Sequence, residues 1–266
     1  MVIRQRCPGR TRGMLDQLKI DGAPTGALAV DEPPPGRKPI MRQRWEDVSF
    51  LHWPVDPARV SELIPPGLDV DTHGGRAWVG LVPFRMVGIG ARKGPSIPYL
   101  GTFPETNVRT YVIGPDGPGV WFHSLEASRL LPVAVARLGY RLPYFFASMQ
   151  YERIGDTHVY STRRRWPGPR GVGGEMRVRP GRAITHHSPF ERFLTARWRL
   201  YTRLRGRIYS AEIRHDPWPL QRVEAANYDM SLLGAVGYRV RGAPHVMYSP
   251  GVDVTAYTPR PVAPGN

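Results

Sequence analysis

The stretch from Thr102 to Phe146, TFPETNVRTYVIGPDGPGVWFHSLEASRLLPVAVARLGYRLPYFF, limits what this chain can fold into more than any other. Successive side chains of a β-strand point to opposite faces, so Glu105, Asn107, Arg109 and Tyr111 share one face while Thr106, Val108, Thr110 and Val112 share the other. The strand then meets Gly114-Pro115-Asp116-Gly117-Pro118-Gly119, which is dense turn chemistry, and Val120 to Glu126 is its expected partner. The result is a hairpin with a carboxylate, an amide, a guanidinium and a phenol along one side, and with His123 and Glu126 near that side. Two readings fit this arrangement: a solvated face carrying a surface Glu/Arg pair, or the wall of a pocket.

The rest of the folded chain has the same character. Val48 to Trp53 reads as a strand, and Asp56-Pro57 supplies an N-cap followed by a proline at the first helical position. Leu68 to Val70 and Ala77 to Val87 read as a hairpin turned at Gly74-Gly75. After Pro132 a short helix is expected up to Gly139. Phe145 to Arg153 pairs with His158 to Arg165, and Gly174 to Arg182 adds a strand. Ser188-Pro189-Phe190-Glu191 is a capping box, and the spacing of Phe190, Phe193, Leu194, Leu200, Tyr201 and Leu204 predicts a helix running to Gly206. Arg207 to His215 and Ala243 to Thr258 supply the closing strands, with Asp216-Pro217-Trp218-Pro219 as a rigid corner. Helices between runs of antiparallel strands predict an α+β fold, mainly antiparallel β, as a curved sheet or open barrel.

Residues 1–40, rich in Gly, Pro and Arg and closed by Pro33-Pro34-Pro35, read as a disordered tail. One domain is expected over residues 41–258, with a flexible tail over 259–266. The single cysteine, Cys7, excludes an internal disulfide framework. No apolar run reaches the roughly 18 residues of a membrane span, and no signal peptide opens the chain, so a cytoplasmic protein without membrane contact is expected. The formal charge of +15 comes with only three lysines, Lys19, Lys38 and Lys93, among 37 basic residues. Such a chain attracts polyanions weakly whatever its role, and no nucleic-acid-binding module accompanies the charge, so no specific nucleic-acid partner is expected.

Several phrases, in order, carry a family resemblance: Phe50 to Asp56 (FLHWPVD), Ala77 to Phe84 (AWVGLVPF), Phe103 to Val112 (FPETNVRTYV), Phe193 to Trp198 (FLTARW) and His215 to Leu220 (HDPWPL). Over residues 41–258 the chain resembles the DUF2071 (YqjF-like) family. That family in turn resembles the acetoacetate decarboxylase superfamily, which implies a β-barrel-like cone of antiparallel strands with helices packed outside and a pocket within. In those decarboxylases a lysine of lowered pKa forms a Schiff base with the keto acid. The segment Gly139 to Phe145 resembles the lysine-bearing one, and it puts Tyr144 and Phe145 where the lysines belong. An arginine cannot replace the amine because its guanidinium stays protonated. A Schiff-base decarboxylase is therefore not expected.

The resemblance favours the pocket reading of the first strand. Glu105 and Tyr144 are then the candidate catalytic groups, Glu105 moving a proton and Tyr144 donating to a carbonyl or enolate oxygen. Arg109, Asn107, His52, His123 and Phe145 are the candidate ligand contacts, with Arg109 suited to a carboxylate. The alternatives stay open for each: a Glu105/Arg109 pair that only holds register, a core phenol at Tyr144, structural histidines at His52 and His123. His186-His187 diverge, and no spacing suggests a metal site or a cofactor loop. The expected partner is a small organic molecule bearing a carboxylate or carbonyl; the oligomeric state is open, a homo-oligomer included.

Overall fold

The protein is described by a computed structural model over residues 38–91, 101–129 and 142–262. The helix expected after Pro132, nearly all of the N-terminal tail and the last four residues lie outside the described residues. In chain order the elements are β1 (Pro39–Val55), α1 (Pro57–Ser61), β2 (Asp69–Val70), β3 (Ala77–Ala91), β4 (Phe103–Gly114), β5 (Gly117–Ala127), β6 (Tyr144–Ile154), β7 (Thr157–Trp166) and β8 (Gly173–Ala183). They continue as α2 (Pro189–Thr195), β9 (Arg199–Leu204), β10 (Arg207–Arg214), β11 (Gln221–Met230), α3 (Leu232–Ala235), β12 (His245–Tyr257) and β13 (Arg260–Pro261). No helix among the described residues is long and apolar enough to cross a membrane.

The strands form a single sheet in the order β13-β10-β9-β5-β6-β7-β8-β11-β12-β1-β3-β4-β2, and the extra pairings β10 to β12 and β5 to β4 close it on itself. Pairing is antiparallel except where β5 meets β6 and β9. Two closed circuits result. One runs through β1, β3, β4, β5, β9, β10 and β12; the other passes from β5 through β6, β7, β8 and β11 to β12 and back across β1, β3 and β4. The strands common to both bury both faces, so residues 50–53 of β1, 79–84 of β3 and 105–112 of β4 are buried at every position, polar side chains included. Phe50, Val82, Phe84 and Phe122 fill the first interior, and Leu51, Trp53, Val79, Leu81, Val108, Tyr160 and Met176 fill the second.

Two bulges set which side chains face the first interior. In β1, Met41, Gln43 and Trp45 face inward at odd numbers, yet Val48 and Phe50 do so at even ones. The register against β3 shifts between Glu46 and Leu51, and Asp47 takes φ +51° there. One extra residue flips the alternation, so both halves of β1 face the same cavity. Gly251 lies opposite Glu46 with φ +127°, and a Cβ there would stand 2.1 Å from the Trp45 carbonyl oxygen, so the turn of the strand requires glycine. In β5 the partner of Val108 is Ser124 and that of Arg109 is Phe122, which leaves His123 as the extra residue of a second bulge.

The structure corrects two expectations. Leu68 to Val70 does not form a hairpin with β3: His73 and Arg76 close a small turn, but β2 pairs with β4. The helix opened by the capping box stops at Thr195, well short of Gly206. Ala196 leaves helical angles with ψ 71°, and Arg197 folds back, donating to the Phe193 carbonyl at 2.8 Å and to Asp71 at 2.6 Å. Leu200 packs into the first interior and Tyr201, on the opposite face of β9, against Gly114 and Gly119 at the end of the β4–β5 hairpin, so a strand buries what a helix would have exposed. Arg205 and Gly206, with φ +49° and +82°, form the two-residue turn that sends β9 into β10.

The capping box itself forms as expected, Ser188 accepting from the Glu191 N–H at 3.2 Å and Glu191 accepting from the Ser188 N–H at 2.7 Å. Substitution Ser188→Ala is expected to lower the unfolding free energy by about 1 kcal/mol, read as a lower urea midpoint with an unchanged slope. An unaltered midpoint would show that α2 is held by tertiary contacts alone.

Candidate functional site

The first interior holds a cavity of about 310 Å³. Among the described residues that line it, only Gln43, Glu105, Asn107, Arg109 and Glu212 carry a charge or an amide. Three of these five come from β4, at the alternate positions that the strand period predicts. The register sets Glu105 beside Phe84, Asn107 beside Val82 and Arg109 beside Gly80. Tyr144, which opens β6, lies opposite Leu125, itself the partner of Asn107.

Glu105 is 2% exposed and accepts a hydrogen bond from the Tyr144 hydroxyl at 3.1 Å. Burial raises its pKa from 4.5 to about 8, with a further push from Glu126, while the hydrogen bonds from Tyr144 and Asn107 pull the other way. At neutral pH the group is a carboxylic acid, with roughly a tenth ionised at one unit below the pKa. Tyr144 is pushed upward by burial and by Glu105, so its phenol keeps its proton. The pair offers a neutral acid held in place by a neutral donor within largely apolar walls.

Arg109 does not pair with Glu105. Four residues of one strand separate them, roughly 13 Å at 3.3 Å per residue. The Arg109 guanidinium turns away and donates to the Leu194 carbonyl near the end of α2 at 3.1 Å and to the Tyr111 oxygen at 3.4 Å. It lies 5.5 Å from the centre of the Phe50 ring. Among the described residues, its Nε and the Asn107 Oδ1 have no hydrogen-bond partner. Tyr111 gives its single proton to the Leu194 carbonyl at 2.8 Å, so the His52 Nε2, 2.6 Å from the phenol oxygen, must be the donor of that bond. Burial, Arg109 and His245 hold the His52 pKa well below its usual value, so the ring is neutral. Gly80 makes room for it, since a Cβ there would stand 2.7 Å from Nε2.

Glu105, Asn107, Arg109 and Tyr144 thus converge on the cavity, and His52 sits behind Arg109. The other two expected contacts lie elsewhere. The bulge turns His123 out of the cavity, where its Nε2 meets the Tyr238 hydroxyl at 2.7 Å. Phe145 points to the opposite side of β6 from Tyr144, with the Arg164 guanidinium 3.7 Å above its ring. There Arg164 and Glu126, 4% and 0% exposed, form an ion pair at 2.5 Å in the second interior. Arg163 and Arg165 on either side are exposed, so the Arg-Arg-Arg run hides one inward-facing cation. Trp45 and Trp218, which stack at 6.0 Å and line the cavity, were not singled out as contacts; the DPWP phrase reads as a corner and also supplies a wall.

A family model, DUF2071, described as an uncharacterized conserved protein, matches residues 42–253. The chain is 40% identical over 186 residues to the uncharacterized protein YqjF of Bacillus subtilis (strain 168), covering 70% of this chain and 77% of that protein. Among solved structures, an acetoacetate decarboxylase from Legionella pneumophila superposes with a TM-score of 0.63 at 12% identity, covering 92% of this chain and 97% of that one. The enduracididine biosynthesis enzyme MppR with HEPES bound gives 0.61 at 16% identity, with 91% and 93% covered. The same enzyme complexed with pyruvate gives 0.59 at 15%, with 91% and 95% covered. These likenesses establish an acetoacetate decarboxylase-like fold.

Proposed function

We propose that this chain, which belongs to the DUF2071 family, binds a carbonyl- or carboxylate-bearing organic molecule in the cavity of its first interior and moves a proton on it through Glu105, without a covalent amine intermediate. The observation that carries this reading is the neutral Glu105 carboxyl, buried in an apolar cavity and held by Tyr144. A group with a pKa near the working pH serves as both acid and base with little penalty in either direction. The ionised fraction of Glu105 takes a proton from the carbon next to the carbonyl, the acid so formed exchanges with solvent and returns a proton to that carbon, Tyr144 fixes the carboxyl, and the free Asn107 Oδ1 accepts a ligand hydrogen. That one neighbour of this fold, MppR, is seen with HEPES bound in one structure and complexed with pyruvate in another supports a small-molecule role for the cavity. Among the described residues no lysine lines it, and Lys38 is exposed, which supports chemistry without a Schiff base.

The test is hydrogen exchange at the carbon next to the carbonyl of pyruvate and 3-phenylpyruvate in D2O, followed by NMR. The wild-type chain is expected to accelerate exchange, and Glu105→Gln to lower that acceleration by about 10²- to 10⁴-fold while calorimetric affinity changes only a few-fold. Equal exchange by the two proteins would sink the acid-base role. Binding without any exchange in either would leave a ligand-binding protein.

A further inference from the structure

The walls of the cavity say more about its ligand than the polar groups do. Trp45, Trp218, Phe84 and Phe50 form one continuous aromatic surface, with Trp45 stacked on Trp218 at 6.0 Å and 18°, Phe84 at 5.6 Å from Trp45, and Phe50 edge-on to Trp218 at 5.1 Å. All four line the cavity. The candidate reacting groups stand on β4 and the start of β6, while Trp45 and Phe50 belong to β1 and Trp218 to the segment before β11. β1 and β4 are separated in the sheet by β3, so Trp45, Phe50 and Trp218 stand away from the acid, while Phe84 on β3, the register partner of Glu105, joins the aromatic surface to it.

Volume decides between ligand sizes. An apolar cavity of about 150 Å³ takes up benzene. The 310 Å³ here is about twice that, at the lower end of the range for drug-sized ligands. Pyruvate, with six non-hydrogen atoms, would engage the Glu105 wall and leave the aromatic surface facing solvent-sized gaps. Water filling those gaps needs two to four polar partners per molecule, and the aromatic walls supply almost none. Burying an apolar body there removes both apolar surfaces from water, a gain that grows with every methylene.

We infer that the ligand is an α-keto acid or related carbonyl compound carrying a bulky apolar body, aryl or branched alkyl, of roughly a dozen non-hydrogen atoms in all. The carbonyl lies at Glu105 and Tyr144, and the body rests against Trp45 and Trp218. The placement of the carbonyl rests on the proposed function; the preference for a bulky body rests on the walls alone.

The experiment is isothermal titration calorimetry of the full chain at pH 7 with pyruvate, 4-methyl-2-oxopentanoate and 3-phenylpyruvate, which share one head group and differ only in the body. Affinity is expected to rise in that order, with 3-phenylpyruvate at least 100-fold tighter than pyruvate. Equal affinities, tighter binding of pyruvate, or no binding of any of the three would overturn the inference. Calorimetry does not depend on turnover, so the two readings fail separately. A size preference kept while Glu105→Gln leaves exchange intact counts against the acid-base role alone. Exchange lost in Glu105→Gln without a size preference counts against the bulky ligand alone.

Discussion

Replacing Glu105 with Gln is expected to make the protein more stable at alkaline pH and to remove a fall in stability that the wild-type chain shows between about pH 5 and pH 8. In the unfolded chain Glu105 titrates near 4.5, and in the folded one near 8. Below pH 4.5 both states are protonated and burial of the neutral acid carries no charge penalty. Between the two values the unfolded chain has released its proton while the folded one keeps it, so stability falls as pH rises. Above 8 both are ionised and the folded state bears the whole cost of a buried carboxylate. At 1.36 kcal/mol per pKa unit that cost is about 5 kcal/mol. Gln keeps the shape and the hydrogen-bonding capacity but does not titrate. The difference between the two proteins therefore isolates Glu105 from other buried groups, such as His52 and His123, whose lowered pKa values tilt stability the other way. Unfolding free energies from urea titrations between pH 5 and pH 9 should diverge by several kcal/mol at the alkaline end. Parallel curves would show that water or a rearrangement reaches the carboxyl, and the case for Glu105 as a neutral acid would fail with them.

The cavity wall was legible because one strand carries it. The alternation of Glu105, Asn107 and Arg109 requires only a period of two, and no irregularity interrupts β4 between Glu105 and Arg109 itself. His123 was misplaced by a feature that leaves no mark in the sequence: a bulge of one residue in β5 transfers it to the other face. Asp47 does the same for β1, and nothing in WEDVSF announces it. The long helix expected from Pro189 failed for a different reason. Phe190, Phe193 and Leu194 are helical contacts, but Leu200 and Tyr201 are adjacent apolar residues of a strand buried on both faces. Such a strand has no period-two signature to compete with a helical reading. The hairpin end of β4 and β5 covers the second face of β9, and the closed sheet that brings them together is assembled from long-range pairings such as β10 with β12. The same geometry explains why Glu105 and Arg109 stay apart: a spacing of four makes neighbours on a helix but places groups two rungs apart on a strand.

The second interior supplies the other large effect. Arg164→Met is expected to destabilise the protein by about 3–5 kcal/mol, because it leaves the Glu126 carboxylate buried without its cation. Glu126 is fully buried, and Arg164 holds down a pKa that burial would otherwise raise further. The Arg164 guanidinium also covers the Phe145 ring, so its loss uncovers the face of β6 opposite Tyr144. Adding Glu126→Leu to Arg164→Met replaces the pair by apolar groups and is expected to recover most of the loss, since the ion pair itself contributes little net stability. A single variant within 1 kcal/mol of wild type, or a double variant no better than the single, would show that Glu126 is already neutral in the folded chain. The double variant also bears on the cavity. Thr106, the register partner of Glu126, is the residue next to Glu105, and the charge on Glu126 contributes to the raised pKa of Glu105. Removing that charge while keeping the fold should move the pH at which Glu105 ionises downward, toward the value set by burial, Tyr144 and Asn107. An ion pair in one interior would then tune the acid in the other through a strand that faces both.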